Sequence, residues 1–230
     1  QSRAHDGTSQ YRGLQGRLEK RFTSGYTLLV SYTWSKFTEK VSLLNSTDKV
    51  YEERPADADI PHRLVVSGIY ELPFGRGKRL GSDWNPVLNG ILGGWSVQAI
   101  FQAQSGRPVG TFGNIYYNGD PKGLKADYGK VESRQPIFDL SGFYFHDAAV
   151  QSSGADDPAK QRADQRIRLA NNVRYFPTRL PKLRQQALRL LDASFIKRVQ
   201  FTQRVRGQFH IELLNALDQP FFNVPNLDPT

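Results

Sequence analysis

The sequence predicts an all-β fold, a segment of an antiparallel transmembrane β-barrel, and three features of the chain lead to this prediction. Apolar and polar residues alternate with a period of two in six segments, which is the pattern of strands with two different faces. Each segment runs for about 10 to 13 residues, whereas soluble strands usually have about 5–6 and a tilted strand crosses a bilayer with about 9–11. The connections alternate between short and long, as they do in outer-membrane barrels.

Tight turns and long loops fall on opposite sides of the predicted sheet. Gly25 can supply the positive φ that a two-residue hairpin turn requires. Long outer loops are predicted at 37–61 and 107–188, because long structureless insertions are uncommon inside compact domains but usual on the outer face of such a barrel. The connection 75–94 is of intermediate length and lies on the short-turn side. The predicted strands lie near residues 11–22, 26–36, 62–74, 95–105, 190–201 and 205–217.

The two faces of these strands are expected to meet different surroundings. One face is apolar and has aromatic residues near the strand ends, as in the girdles at the two membrane interfaces. The other face mixes charges, amides and hydroxyls, which suits a wet barrel interior. The residues predicted to face lipid are Leu28, Val30, Tyr32, Trp34, Val66, Tyr70, Val97, Phe101, Phe209 and Ile211. The residues predicted to face the lumen or a plug are Arg17, Glu19, Arg21, Arg63, Glu71, Gln98, Gln102, Arg198, Arg206, His210 and Glu212.

The composition of the chain limits the other classes of function. Its 230 residues are 38% hydrophobic, and no apolar run approaches the roughly 18–20 residues of a membrane helix. Because the chain has no cysteine, disulfides and thiolate metal sites are excluded. The net charge of +9 would permit binding to nucleic acid. The basic residues are scattered rather than clustered with aromatics, however, so no nucleic-acid partner is predicted.

No motif in the sequence carries a catalytic arrangement, and we do not expect an enzyme. The segment "FGRGKR" (residues 74–79) lacks the spacer and the Ser or Thr after Lys of a phosphate-binding loop, and is interpreted as a basic turn. Asp57, Asp59 and His62 in "ADADIPHR" could ligate a metal in principle. No further acidic residue has the spacing of a calcium loop, and we predict no metal and no cofactor.

Two aromatic segments, "NIYYNG" and "GFYFHD", lie in the longest predicted loop. Exposed aromatic rings could bind a carbohydrate or a hydrophobic ligand by stacking. They could equally pack the loop against itself or against the barrel rim. The sequence leaves both interpretations open.

Four segments of the chain resemble the C-terminal part of the barrel of TonB-dependent outer-membrane receptors. The resemblance is strongest to the Oar-like group, whose members carry a carboxypeptidase-regulatory-like domain ahead of the plug. The stretch from Gly110 to Leu188 matches poorly, apart from "PIFDLSGFYF", and Leu191 stands where the family commonly has tryptophan. The matching segments, in the order of the family, are "YRGLQGRLEKRFTSGYTLLVSYTWSK", "DIPHRLVVSGIYELPFGRGKR", "LNGILGGWSVQAIFQAQSGRPV" and "LDASFIKRVQFTQRVRGQFHIELLNALDQPFFNVPN".

The resemblance implies a barrel of about 22 strands that imports a scarce ligand across the outer membrane of a Gram-negative cell. The implied partners are outer-membrane lipid, a plug domain, the remaining barrel strands, an unknown imported ligand and the TonB complex. The TonB complex would act only through an N-terminal part that this sequence does not include. Six strands alone would leave two bare edges in lipid, so we expect this segment, without a plug domain, not to be transport-competent by itself.

The alternative is a soluble or surface-attached β-rich binding module, for example one that binds carbohydrate. In such a module a second layer of protein would cover the apolar faces of the strands. In a barrel wall the same faces would form one continuous exposed band about 25 Å tall. The covering of the apolar face therefore distinguishes the two.

Overall fold

A computed structural model of the chain describes residues 6–110, 115–117, 123–130, 137–139, 143–145, 177–200, 202 and 204–222. The two aromatic loop segments are therefore described only in part, at Ile115–Tyr117 and Phe143–Phe145. Those two stretches pair with each other as short antiparallel strands. The two interpretations of these segments, ligand binding and packing of the loop, depend on aromatic side chains that lie outside the described residues.

The described residues contain six long strands, three short strands and one short α-helix. In chain order these are β1 (Thr8–Thr23), β2 (Tyr26–Lys40), β3 (Arg54–Pro55), β4 (His62–Glu71), α1 (Pro86–Leu92), β5 (Trp95–Gln104), β6 (Ile115–Tyr117), β7 (Phe143–Phe145), β8 (Leu188–Gln200) and β9 (Arg206–Leu213).

The six long strands form a single antiparallel sheet in the order β1-β2-β4-β5-β8-β9. Each long strand pairs with the next long strand along the chain, while β3 pairs with the far end of β2. Within the described part of the chain, β1 and β9 have a paired neighbour on one side only, so the sheet is not closed. The predicted all-β, antiparallel fold is confirmed.

Local sequence accounts for the tight turn between β1 and β2. Ser24 and Gly25 have φ values of 55° and 85°. Two consecutive positive φ values define the two-residue turn whose twist matches that of the strands on either side. Glycine adopts this conformation without the steric cost that other residues incur. The same end of the sheet, which we call the turn end, also holds the connection from β8 to β9.

The intermediate connection at the turn end is ordered by its own capping interactions. Asn85 caps α1, since its side chain accepts a hydrogen bond from the Leu88 amide at 2.8 Å, and Pro86 follows at the first helical position. Asn89 of the helix accepts a second bond from the Arg76 amide at 2.7 Å. This connection, residues 75–94, is therefore a small ordered element at the turn end of the sheet, which we call the turn-end cap.

The boundaries of several strands differ from the prediction. β2 continues to Lys40, so residues 37–40 belong to a strand and not to the predicted loop 37–61. β9 ends at Leu213, whereas the predicted strand runs on to residue 217. The reason is a turn at Asn215, which has a φ of 49° and donates its backbone N–H to Asp192 Oδ1 at 2.9 Å. Asn can adopt this left-handed conformation because its short side chain bonds the local backbone.

The largest buried hydrophobic cluster of the described residues lies outside the long-stranded sheet. It lies at the end opposite the turns, which we call the loop end, because that end carries the long connections. The cluster consists of Val109, Leu124, Phe138, Leu180 and Leu183. Of the apolar side chains in the six long strands, only Ile196 is buried. The sheet is therefore not the wall of a conventional protein core.

Candidate functional site: the two faces of the sheet and the base of the loops

Strand pairing sorts the side chains of the sheet into two faces. Directly paired residues of an antiparallel sheet lie on the same face, and successive residues lie on opposite faces. Leu18, for example, pairs with Val30, which pairs with Val66 on its other side. This row continues through Phe101 to Leu191. All ten residues predicted to face lipid lie on this side, which we call the apolar face.

The apolar face is largely open on the described molecule. Leu14, Trp34 and Phe209 are 67%, 57% and 57% exposed. No second layer of described residues packs on this face. Aromatic side chains stand at both ends of it, with Tyr32 and Trp34 toward the loop end and Tyr26, Tyr70 and Trp95 toward the turn end. Tyr26 and Trp34 lie about 27 Å apart along β2, at roughly 3.4 Å per residue.

The opposite face, which we call the polar face, carries most of the residues predicted to line a lumen. Arg21 is the exception, because the β1–β2 register shifts between Lys20 and Thr23 and pairing does not fix its side. Acidic and basic residues are nearly balanced on this face. Its charged strand residues are Arg17, Glu19, Glu39, Arg63, Glu71, Asp192, Arg198, Arg206 and Glu212, and the amides Gln98 and Gln102 and His210 lie among them.

Away from Glu39, the ion pairs of the polar face are at least partly open to solvent. Arg17 Nη2 lies 3.0 Å from Glu19 Oε2, and both side chains are about half exposed or more. Glu71 pairs with Lys78 of the turn-end cap at 2.9 Å. Exposed pairs of this kind contribute about 0.2–1 kcal/mol each. They do not determine the stability of the sheet, and their side chains remain available to a partner on this face.

The centre of the polar face also contains an apolar patch. Leu29 and Ile100 both pair with Ser67, on its two sides, and Ile69 and Val65 are the next residues of β4 on the same face. Ile69 and Ile100 are each 36% exposed. An apolar patch of this kind is unfavourable in contact with water, but it is favourable where another protein surface packs against it.

Sequence reasoning missed the cations on the apolar face, because each interrupts an otherwise apolar alternation. No acidic residue of the six long strands lies on this face. Its cations are Arg12, Lys20, Lys36, Lys40, Arg189 and Lys197. Assigning each charged residue to a face by its odd or even position in the strand would have identified them.

Two of these cations are held at the turn end. Lys20 Nζ lies 3.8 Å from the centre of the Tyr26 ring. Lys197 donates a hydrogen bond to the backbone oxygen of Gly93 in the turn-end cap and lies 5.6 Å from the Trp95 ring centre. Long cationic side chains extend in this way toward the polar margin of an apolar surface.

A buried ion-pair network, which we call the loop base, fixes the long connections to the loop end of β2. Arg54 Nε donates to Glu39 Oε1 at 2.9 Å, and Arg179 Nη1 donates to the same oxygen at 2.8 Å. Thr178 Oγ1 accepts from Arg54 at 2.7 Å and donates to Glu52 at 2.7 Å. The chain segments joined in this way are far apart in sequence, so no local pattern predicts the network.

Asp59 also belongs to the loop base, where both of its carboxylate oxygens accept hydrogen bonds. Its Oδ2 accepts from Arg184 Nη2 at 2.6 Å, and its Oδ1 accepts from the Phe37 amide at 2.7 Å. Tyr128 donates its hydroxyl to the Arg184 carbonyl at 3.1 Å, and burial raises the pKa of this phenol, which keeps the donor protonated. His62, considered with Asp59 as a metal ligand, shares a 2.8 Å hydrogen bond with the Tyr32 hydroxyl instead.

The described residues contain no cluster of three or more metal-ligating side chains. They also contain no helix long and apolar enough to cross a membrane.

Comparison with known proteins identifies the family. No match was found among curated proteins or among solved structures. The family model described as "Outer membrane beta barrel domain" matches residues 1–230. This match agrees with six antiparallel strands that have an open apolar face and a charged opposite face. The chain therefore belongs to the outer membrane beta barrel domain family and is located in the outer membrane.

Proposed function

We propose that the chain forms part of the barrel wall of a TonB-dependent receptor of the Oar-like group, which binds a ligand outside the cell and imports it. The apolar face meets outer-membrane lipid, and the polar face surrounds a plug domain. The remaining strands of the barrel pair with β1 and β9. The TonB complex reaches the receptor through the plug and makes no contact with this segment, which is not transport-competent on its own.

The mixture of charged and apolar side chains on the polar face favours a plugged barrel over an open pore. An aqueous channel needs polar side chains only, whereas this face combines the exposed Arg17–Glu19 pair with the apolar patch around Ile69 and Ile100. Such a combination resembles a protein interface, with an apolar centre and a polar surround. The sequence segments that resemble TonB-dependent receptors support the same proposal.

We also propose that the chain binds and admits its ligand without carrying out a chemical reaction. Its polar residues are used in ion pairs and loop anchoring, and the loops at the outer end provide the first contact with the ligand. A soluble binding module is disfavoured, since membership of an outer-membrane family and an uncovered apolar face both count against it. Nucleic acid is not among the proposed partners.

The plug contact can be tested by the ion conductance of the natural protein in planar bilayers. A plugged barrel conducts poorly, and urea that releases the plug opens it. Ile100→Ser and Arg206→Glu should each weaken the contact by about 1 kcal/mol, which lowers the opening midpoint by roughly 0.5 M urea. Arg79→Glu, in the exposed turn-end cap, is the matched control and should leave the midpoint unchanged. Open conductance without urea in the unaltered protein would refute a plugged barrel.

A further inference from the structure

The cations on the apolar face are concentrated where β1 and β2 approach the loop end. Arg12 and Lys36 are direct cross-strand partners, and Lys40 lies four residues further along β2 on the same face. Like charges placed directly opposite each other in a sheet are destabilising. An arrangement that keeps such a pair is explained most simply by an anion that lies between the two.

The protein itself supplies little compensation for this pair. In the described part of the chain, neither Arg12 nor Lys36 forms an ion pair within 4 Å. The nearby acid is Glu53, which lies 3.1 Å from Lys40. The hydrogen bond from Lys40 is the main cause that lowers the pKa of Glu53, and Lys36 and Arg12 add smaller contributions. Asp59, the other carboxylate near these cations, is paired with Arg184 at 2.6 Å, so Glu53 alone is left to balance the three cations.

The surroundings of the pair suit a molecule that is part anion and part hydrocarbon. Trp34 and Leu14 lie directly beneath Arg12 and Lys36 on the same face and pair with each other. A hollow of about 700 Å³ is bounded by these four residues and by Pro55 and Pro61. Glu53 and the loop-base residues Arg54, Asp59 and Arg184 also line it. Cations above an aromatic ring and an aliphatic surface match the order of a lipid, with its headgroup at the interface and its acyl chains below.

We propose that Arg12, Lys36 and Lys40 bind the phosphate of an anionic lipid in the leaflet on the loop side of the membrane. Trp34 and Leu14 contact its acyl chains. The proposal rests on the proposed function insofar as the apolar face must lie in lipid. It adds a lipid of stated chemistry at one place on that face. The row of three cations is charge-complementary to a phosphate and has no acidic strand residue beside it on its own face.

Quenching of Trp34 fluorescence by brominated lipids measures the binding. The natural protein is placed in phosphatidylcholine vesicles that contain brominated phosphatidic acid or brominated phosphatidylcholine. The signal of a Trp34→Phe variant is subtracted, so that only Trp34 is followed. Each cation near a membrane surface contributes about 1 kcal/mol toward an anionic lipid, so Arg12 and Lys36 together should give a preference for phosphatidic acid of about 30-fold.

The R12S/K36S variant should lose that preference, while K125S/K182S, which removes two exposed loop cations, should keep it. Preference retained by R12S/K36S, or lost equally by K125S/K182S, would overturn the proposal. Millimolar inorganic phosphate that abolishes the preference would show a site for free anions and would overturn it too. If neither brominated lipid quenches Trp34, the apolar face is not in lipid and the proposed function fails. Quenching by both lipids without preference removes only the lipid site.

Discussion

Val30 and Ser31 are neighbouring residues of β2 whose side chains lie on opposite faces of the sheet. Val30 lies on the apolar face between Leu18 and Val66, and Ser31 lies on the polar face between Arg17 and Val65. The same substitution at these two positions should therefore have different costs. This difference depends only on which face meets lipid.

Arginine at position 30 should destabilise the protein in a bilayer by about 2–4 kcal/mol, the cost of a cation near the midplane on a lipid-facing strand. Arginine at position 31 should cost no more than about 1 kcal/mol, because the polar face does not meet lipid and the only penalty is the like charge of Arg17 directly opposite. The free energy of unfolding in phosphatidylcholine vesicles, from urea titration, measures both. Equal costs at the two positions would contradict the assignment of the faces.

The strands were predictable from sequence because their pattern is local, whereas the loop base was not. Alternation in β2 and β5 needs only neighbouring residues to be recognised, and the paired registers agree with it. The contact of Arg184 with Asp59 joins residues 125 positions apart, and nothing near either residue indicates its partner. Lys197 was missed for another reason, since its cationic end is held by the turn-end cap and its place in the alternation is apolar.

The loop base should hold the long connections by a buried ion pair. Asp59 is 3% exposed, so Arg184→Met would leave its carboxylate buried without a counter-charge. Loss of one partner of a fully buried pair costs about 3–5 kcal/mol, and partial exposure of Arg184 reduces this to about 2 kcal/mol. The Val109 amide, which donates to Leu183 at 3.0 Å, should then exchange its hydrogen roughly 30-fold faster.

Adding Asp59→Asn to Arg184→Met removes the unpaired carboxylate charge. The double variant should therefore regain part of the exchange protection of the Val109 amide. Arg17→Met, at an exposed pair on the polar face, serves as the control and should leave the exchange of the Val109 amide unchanged. If Arg184→Met behaves like Arg17→Met, the loop base does not hold the connections in place.

The six-stranded sheet as a whole has one apolar face, one polar face and no hydrophobic core of its own. The hydrophobic cluster lies at the loop end, and the six strands present their apolar side chains outward. For a soluble protein this would be an unstable arrangement. In the barrel that we propose, lipid would take the place of the missing second layer, and the charged face would turn away from it.

The most direct test of this account is a spin-label walk along β5, from Val97 to Gln102, in the natural protein in lipid bilayers. The chain contains no cysteine, so single cysteines placed in it can be labelled one at a time. Labels at 97, 99 and 101 should collide freely with oxygen, which concentrates in lipid. Labels at 98, 100 and 102 should be less accessible to oxygen, with a strict period of two. Accessibility without that period, or high oxygen access at 98, 100 and 102 instead, would contradict the account.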